Sequence, residues 1–253
     1  MHYIAIADTD TGIAKQTNQD GVLIKYGKCV KGEVLLAVVC DGMGGLEKGE
    51  VASAAVIREF ARWFEEELPY ELEQLDLRII ADKWSLLLKD LNRKIALYGK
   101  KQGAKLGTTF TGVLFAEGRY VAVHVGDTRF YRLDKALKQL TADQTFVARE
   151  VRKGNLTPAQ AETDKRRNML LQCIGASEKI EPEILTGVVK KGAYLLCSDG
   201  FRHKISEEEI YEALSPKRLS GRESMRYNVR NLIERVKNRK EKDNISVILV
   251  NVV

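Results

Sequence analysis

The chain has 253 residues, and its 41 Lys and Arg against 35 Asp and Glu give a formal net charge of +6. This length fits one large domain with a substantial hydrophobic core, so we expect residues 1–253 to form a single domain. No stretch approaches the roughly 20 apolar residues of a membrane-spanning helix, and no basic leader precedes an apolar segment at the N-terminus. We therefore expect a cytoplasmic protein without membrane contacts.

The charge balance and the cysteine content narrow the function only slightly. The basic excess is compatible with anionic partners such as phosphorylated proteins or nucleic acid, although a solvated basic face is the simpler explanation. The four cysteines form no Cys-x-x-Cys pair, and the three histidines have no zinc-binding spacing. Buried free thiols in a reducing compartment explain the cysteines.

The N-terminal part of the chain is predicted to be rich in strands. Apolar runs indicate strands at residues 3–7, 22–26 and 34–40, with a polar loop over 12–20. The third run leads directly into Asp41.

A cluster of glycines follows Asp41, at positions 42, 44 and 45. Because glycine lacks a Cβ, these residues let the backbone turn sharply and approach whatever the carboxylate binds. Asp-Gly is also the commonest hairpin-turn dipeptide, so these residues alone leave an ordinary turn open as the alternative.

Two amphipathic helices follow the glycine cluster. The first begins near Glu50 and ends at Pro69, and the second has apolar residues at steps of three and four. We expect these apolar stripes to pack on a sheet rather than to line a cofactor pocket. The stripe of the second helix consists of Ile80, Trp84, Leu88, Leu91, Ile95 and Tyr98.

The middle of the chain is predicted to return to β-structure. Strands are expected at residues 110–115, 120–125 and 130–133, arranged as a meander. The second of these strands runs into Gly126 and Asp127, which repeats the pattern of a strand ending in an aspartate.

A polar excursion is predicted at about 143–172. We expect a helix over 141–152 that ends near Gly154, and a short helix that a capping box at Thr157 starts. A mobile flap over a binding site and an ordinary surface excursion both fit this composition.

The C-terminal part is predicted to alternate strands and helices. Strands are expected at 184–189, 193–197 and 245–253. Asp199 follows the second of them, and Asp243 precedes the third. Between them, a capping box at Ser206 and Glu209 starts one helix, and an amphipathic helix begins near Arg222.

Four aspartates therefore lie at strand ends, where they can meet on one rim of a sheet; they are Asp41, Asp127, Asp199 and Asp243. Neighbouring carboxylates repel each other unless a cation lies among them. Oxygen ligands favour Mg²⁺ or Mn²⁺. Two such ions can share and acidify a water that attacks a phosphorus or carbonyl centre, so hydrolysis of a phosphate ester is the leading reaction class.

Several short motifs, taken together in chain order, resemble those of a known family. The chain is similar to the bacterial form of the metal-dependent protein serine/threonine phosphatases, the type 2C or PPM family, over essentially its whole length. The motifs that carry the resemblance are Asn18-Gln19-Asp20, Asp41-Gly42-Met43-Gly44-Gly45, Gly107-Thr108-Thr109, Gly126-Asp127-Thr128-Arg129, Ser198-Asp199-Gly200 and Asp243-Asn244.

The resemblance implies an α+β fold, a four-layer αββα sandwich of two antiparallel β-sheets flanked by antiparallel helices. It also implies two Mn²⁺ or Mg²⁺ ions at one end of the sandwich, with Asp41 and Asp199 as catalytic residues that hold the attacking water. By match to the family pattern, Asp41 bridges both ions, Asp20 and the Gly42 carbonyl serve one ion, Asp199 and Asp243 serve the other, and Asp127 holds a possible third ion.

Two residues depart from the family pattern. Lys15 stands where the family usually has a phosphate-binding arginine, which keeps the charge but loses the planar fork that grips phosphate. Met43 stands where many eukaryotic members have a histidine proposed as general acid, and a thioether cannot donate a proton.

Three functions are compatible with these features. The first is an active phosphatase, a monomer that acts on phosphoserine or phosphothreonine in substrates of a bacterial kinase. The second is a catalytically weak phosphatase-like module that binds phosphoproteins; the loss of a metal-binding aspartate would support it, and none is lost. The third is a nucleic-acid-binding protein that uses the basic run at 218–242, in which Tyr227 is the one aromatic residue and no series of aromatic side chains interleaves with the charges. We therefore expect no nucleic-acid partner.

Overall fold

The computed structural model describes residues 1–43 and 48–253. Gly44 and Gly45, for which we predicted a sharp turn after Asp41, lie outside the described residues. Within the described residues, ten β-strands form two five-stranded sheets in which all neighbouring strands are antiparallel.

The first sheet has the strand order β2-β3-β4-β5-β8. Its strands are β2 (Gly21–Cys29), β3 (Gly32–Cys40), β4 (Phe110–Ala116), β5 (Arg119–Val125) and β8 (Glu183–Val188). The second sheet has the order β1-β10-β9-β6-β7. Its strands are β1 (Tyr3–Asp10), β6 (Arg129–Leu133), β7 (Leu137–Gln139), β9 (Gly192–Cys197) and β10 (Ile245–Val252).

Eight α-helices and one short 3₁₀ turn at Pro216–Arg218 complete the described structure. The helices are α1 (Gly49–Glu66), α2 (Leu68–Glu71), α3 (Leu77–Gln102), α4 (Phe146–Arg152), α5 (Pro158–Thr163), α6 (Asp199–Arg202), α7 (Glu207–Leu214) and α8 (Arg222–Asn238). In the described ranges, no helix combines the length and apolar character needed to cross a membrane.

The hydrophobic core has three parts, one between each pair of neighbouring layers. Helices α1 and α3 cover the first sheet, where the Phe60 and Trp84 rings meet edge to face at 5.1 Å. Helices α7 and α8 cover the second sheet. Between the two sheets, the Phe115 and Tyr194 rings lie 5.3 Å apart. The predicted αββα sandwich is therefore confirmed.

The two predicted capping boxes are present. Thr157 and Gln160 start α5, and Ser206 and Glu209 start α7, because each side chain accepts a hydrogen bond from the other residue's backbone N–H. The predicted apolar face of α8 is also buried.

The predicted meander over residues 110–133 is wrong. Strands β4 and β5 pair in the first sheet, but β6 pairs with β7 and β9 in the second. The chain crosses between the sheets at Gly126, whose φ of +109° lies where a side chain is strained. Apolar periodicity could not predict this crossing, because a hairpin and a crossing connect identical runs of residues.

Two further local predictions are wrong. The helix expected from residue 141 begins only at Phe146, because Thr145 caps it by accepting a hydrogen bond from the Ala148 N–H at 3.2 Å. Tyr98 was expected in the core of the second predicted helix, but it is 46% exposed. Its phenol can stay in water while its ring covers the helix surface.

Candidate metal centre

The aspartates predicted to meet do lie at one end of the molecule, at an edge that both sheets share. Asp41 directly follows β3 of the first sheet, and Asp127 lies in the connection from β5 of the first sheet to β6 of the second. Asp199 directly follows β9, and Asp243 lies two residues before β10, so both belong to the second. The rim expected on one sheet is thus formed where two sheets meet.

The backbone of Asp41 is held firmly by the start of β4. Its N–H donates to the Thr109 hydroxyl at 2.8 Å, and its carbonyl accepts from the Thr109 N–H at 2.9 Å and from the Thr108 hydroxyl at 3.0 Å. The Gly-Thr-Thr motif therefore fixes the position of this carboxylate, and the motif itself was a signal in the sequence.

Gly42 lies where only a glycine fits. A Cβ at this position would stand 2.2 Å from the carbonyl oxygen of Gln19 and 2.8 Å from that of Gly49. Both obstacles are backbone atoms, so neither can move aside cheaply. The close approach brings the loop that carries Asp20 against the end of β3.

Asn244 organises the loop that carries Asp20, a role that the sequence did not reveal. It accepts a hydrogen bond from the Gln19 N–H at 2.9 Å and donates to the carbonyls of Thr11 at 2.9 Å and Thr17 at 3.3 Å. This buried amide thus joins residues at 11–19 to the start of β10.

Asp199 is placed by the tight contact between β9 and β10. The Ser246 N–H donates to the Ser198 hydroxyl at 2.9 Å, and a Cβ on Gly200 would lie 2.1 Å from the Asn244 carbonyl oxygen. His203 Nε2 lies 3.5 Å from Asp199 Oδ2. The position of His203 beside this carboxylate was not predicted, because the short helix α6, which brings residues four positions apart together, was not predicted.

Mutual repulsion and burial disfavour the charged forms of these carboxylates. Burial and the charge of Asp199 raise the pKa of Asp20 to about 7. Burial, followed by the charges of Asp20 and Asp199, raises the pKa of Asp41 well above its ordinary value. A bound cation would relieve the repulsion and favour the ionised state.

Unpartnered acceptors support a cation as the missing partner. Asp20 Oδ2 and Asp199 Oδ1 are buried, and neither has a hydrogen-bond partner among the described residues. Such atoms are rare in folded proteins, and a carboxylate oxygen without a donor is a ligand that Mg²⁺ or Mn²⁺ accepts. Within 1–43 and 48–253, no three His, Cys, Asp or Glu side chains are arranged to hold one ion together. The evidence that these residues suit a metal ion is therefore the two unpartnered oxygens of Asp20 and Asp199 and the preference of Mg²⁺ and Mn²⁺ for carboxylate oxygens.

Lys15 lies at this centre. Its Nζ is 3.3 Å from Asp243 Oδ1, and the two side chains are 29% and 41% exposed. Asp243 is more exposed than Asp199, whose side chain is 14% exposed, so the ammonium group of Lys15 is accessible to an incoming anion.

Asp127 lies in a different environment. It is 8% exposed, and Arg202 approaches it from α6, with Nη2 at 3.2 Å from its carbonyl oxygen and 3.8 Å from Oδ2. Arg202 Nη2 also lies 3.6 Å from Asp143 Oδ2, which Arg129 holds through two hydrogen bonds of 2.8 and 2.7 Å. Neither Arg202 nor Asp143 was predicted from the sequence to belong to the site.

The excursion at 143–172 starts beside Asp127. Gln144 is joined to Gly126 by reciprocal hydrogen bonds, from its N–H to the Gly126 carbonyl at 2.8 Å and from the Gly126 N–H to its side chain at 2.7 Å. Further out, α5 has no buried residue. The segment is therefore fixed at its base and exposed beyond it, and its mobility stays a prediction.

This fold and this edge define a class of protein: an αββα sandwich with a group of buried aspartates where its two sheets meet. The model of the protein phosphatase 2C family matches residues 13–249. The chain belongs to this family, which confirms the resemblance seen in the sequence.

Individual relatives agree with this assignment. The chain is 34% identical over 250 residues to the serine/threonine protein phosphatase PstP of Mycobacterium tuberculosis, covering 98% of this chain but only 44% of PstP. The solved structure of serine/threonine phosphatase Stp1 from Staphylococcus aureus has 29% identity and a TM-score of 0.86, covering 100% of this chain and 96% of Stp1. The structure of the PstP catalytic domain in complex with two manganese ions has 31% identity and a TM-score of 0.80, covering 99% and 98% of the two chains.

Proposed function

We propose that this chain is a Mn²⁺- or Mg²⁺-dependent protein phosphatase that hydrolyses phosphoserine and phosphothreonine in proteins. The observation that carries the proposal is the group of buried aspartates with two orphan oxygens, one on Asp20 and one on Asp199. Membership of the protein phosphatase 2C family supports it, as do the two manganese ions in the related PstP structure.

The residues that would hold the ions are the core aspartates Asp20, Asp41, Asp199 and Asp243, together with the Gly42 carbonyl. By match to the family pattern, Asp41 would serve both ions, and the charges of Asp20 and Asp199 both act on its carboxyl group. When bound, two such ions acidify a water and neutralise the charge that develops on a transferred phosphoryl group. We infer that Asp41 and Asp199 matter most for the reaction.

The chain's own cation at this centre is Lys15. With its Nζ 3.3 Å from Asp243 Oδ1, it stands at the exposed side of the core aspartates and would bind a phosphate oxygen of the substrate. Met43 offers no proton, so a water or another residue would protonate the departing serine or threonine oxygen.

Phosphorylated proteins that a serine/threonine kinase produces would be the substrates. Binding of Mg²⁺ as an alternative to Mn²⁺, a cytoplasmic location and a monomeric state remain predictions from the sequence. So does the assignment of residues 1–253 to one domain.

Hydrolysis of peptides that carry phosphothreonine, phosphoserine or phosphotyrosine tests the proposal, with Mn²⁺, with Mg²⁺ and with chelator. We expect metal-dependent phosphate release from the first two peptides and much less from the third. Folded protein that binds the phosphothreonine peptide without releasing phosphate would instead support the phosphoprotein-binding module.

A further inference from the structure

Arg202 brings a permanent positive charge to the position where the family resemblance places a third metal ion. Its side chain is only 14% exposed, and Nη2 lies within 3.8 Å of Asp127 Oδ2 and within 3.6 Å of Asp143 Oδ2. A guanidinium stays protonated at all relevant pH values, and its planar donors suit two carboxylates at once.

Arg129 supplies a second positive charge, which lies against Asp143. Its two hydrogen bonds to Asp143 are bidentate, and its Nη1 donates to the Tyr131 hydroxyl at 2.8 Å. We call Asp127, Asp143, Arg129 and Arg202 the arginine cluster. Glu207 also approaches Arg129 at 3.9 Å, but it is 56% exposed and therefore screened by water.

The arginine cluster and the core aspartates differ in the positive groups that lie beside their carboxylates. In the arginine cluster, two buried carboxylates face two guanidiniums, so the formal charges cancel. Within the described residues, Lys15 pairs with Asp243 among the four core aspartates, and His203 lies 3.5 Å from Asp199. The two sites therefore differ in geometry, because Asp127 has a guanidinium 3.8 Å away and the core aspartates have none among the described residues. Burial and the charge of Asp199 still raise the pKa of Asp127 to about 7.

We propose that Arg202 replaces a third metal ion beside Asp127 and acts as a positioning residue that ties α6 to the base of the 143–172 excursion. The inference rests on the proposed function, since it specifies how one cation position of that centre is filled. A third ion does not fit here, because it would have to lie against a guanidinium that cannot lose its charge.

Counting bound Mn²⁺ tests this inference without measuring catalysis. Isothermal titration calorimetry and electron paramagnetic resonance of free Mn²⁺ would be compared for wild type, Arg202→Ala, Asp127→Asn and the double variant. We expect Asp127→Asn to bind as many ions as wild type. We expect Arg202→Ala to gain one ion per chain, and the double variant to lose that gain. Arg222→Ala, at an exposed arginine on α8, is the matched control and should bind like wild type.

The opposite pattern would overturn the inference: wild type would bind an ion that Asp127→Asn loses, and Arg202→Ala would gain none. If Arg202→Ala does not fold, the Asp127→Asn comparison decides alone, since an unchanged count supports the inference and a lost ion refutes it. Failure of the proposed function has a separate signature, because it would leave Mn²⁺ binding unaffected by Asp41→Asn.

Discussion

Lys15 is the residue for which we propose a role in substrate binding. Its ammonium is a single point charge on a flexible stem, and at present it pairs with Asp243 at 3.3 Å. A phosphate that binds there must compete with this carboxylate. An arginine at the same position could keep one contact to Asp243 and still offer parallel donors to phosphate.

We predict that Lys15→Arg lowers KM for a phosphothreonine peptide by about fivefold, the factor that roughly 1 kcal/mol of additional charge-assisted hydrogen bonding supplies. Steady-state kinetics with Mn²⁺ measures this change. Lys25→Arg, on β2 in an ion pair with Glu65, is the control and should leave KM unchanged. An unchanged or raised KM for Lys15→Arg would contradict a phosphate-binding role.

Gly42 tests how closely the loop of Asp20 approaches β3. Because an added Cβ would meet the Gln19 carbonyl oxygen at 2.2 Å, we predict that Gly42→Ala destabilises the fold by about 1–3 kcal/mol and weakens Mn²⁺ binding. Urea unfolding and calorimetry measure the two effects. Gly221→Ala, where a Cβ meets nothing within 4 Å, should leave Mn²⁺ binding unchanged and cost less stability than Gly42→Ala, only the small loss expected for alanine at the N-cap of α8. Equal stability of Gly42→Ala and wild type would show that this contact is not tight.

At the scale of the elements, a buried histidine joins β4 to β5. His124 is fully buried, and its Nδ1 lies 2.9 Å from the Thr111 hydroxyl. Burial lowers the pKa of His124 to about 4 from the ordinary 6.5. Between those values the unfolded chain binds a proton that the folded chain does not, so the stability that neutral His124 contributes is lost as pH falls from 6.5 towards 4.

We predict that the difference in unfolding free energy between wild type and His124→Gln shifts against wild type by about 2 kcal/mol between pH 7 and pH 4.5. Urea unfolding at both pH values measures it. Parallel pH dependence of wild type and His124→Gln would mean that His124 is protonated in the fold.

Most elements could be predicted because each is encoded by a local pattern. The apolar run before Asp41 reads as a buried strand, and the capping box at Ser206 starts α7 where it was expected. The crossing at Gly126 could not be predicted in this way, because it depends on which sheet accepts β6.

The candidate site also contains residues that the sequence predicts and residues that it does not. The aspartates were found because each follows or precedes a strand at a turn, whereas Asn244 and Arg202 act through partners far away in the sequence. Asn244 holds Gln19 of the N-terminal loop, and Arg202 meets Asp127 and Asp143 from another element. No local spacing marks such contacts, since they exist only after the two sheets have packed.

For the molecule as a whole, we expect stability to depend on metal if the core aspartates bind it. Since the proposed ions bind the folded chain and not an unfolded one, we predict that Mn²⁺ at about 100 times its Kd adds ~2.7 kcal/mol of unfolding free energy per site. Urea unfolding with Mn²⁺ and with chelator measures the gain. Asp41→Asn should lose most of it, while Asp82→Asn, at an exposed aspartate on α3, should retain it. Unfolding curves that do not respond to Mn²⁺ would contradict a metal centre.

The most direct test of the central claim is phosphate release from a phosphothreonine peptide with Mn²⁺, compared among wild type, Asp41→Asn, Asp199→Asn and the control Asp82→Asn. We predict that wild type and Asp82→Asn release phosphate and that Asp41→Asn and Asp199→Asn do not. With chelator, we expect none of the four proteins to release phosphate. Turnover that survives both Asp41→Asn and Asp199→Asn, or that persists with chelator, would show that the core aspartates are not the metal-dependent active site.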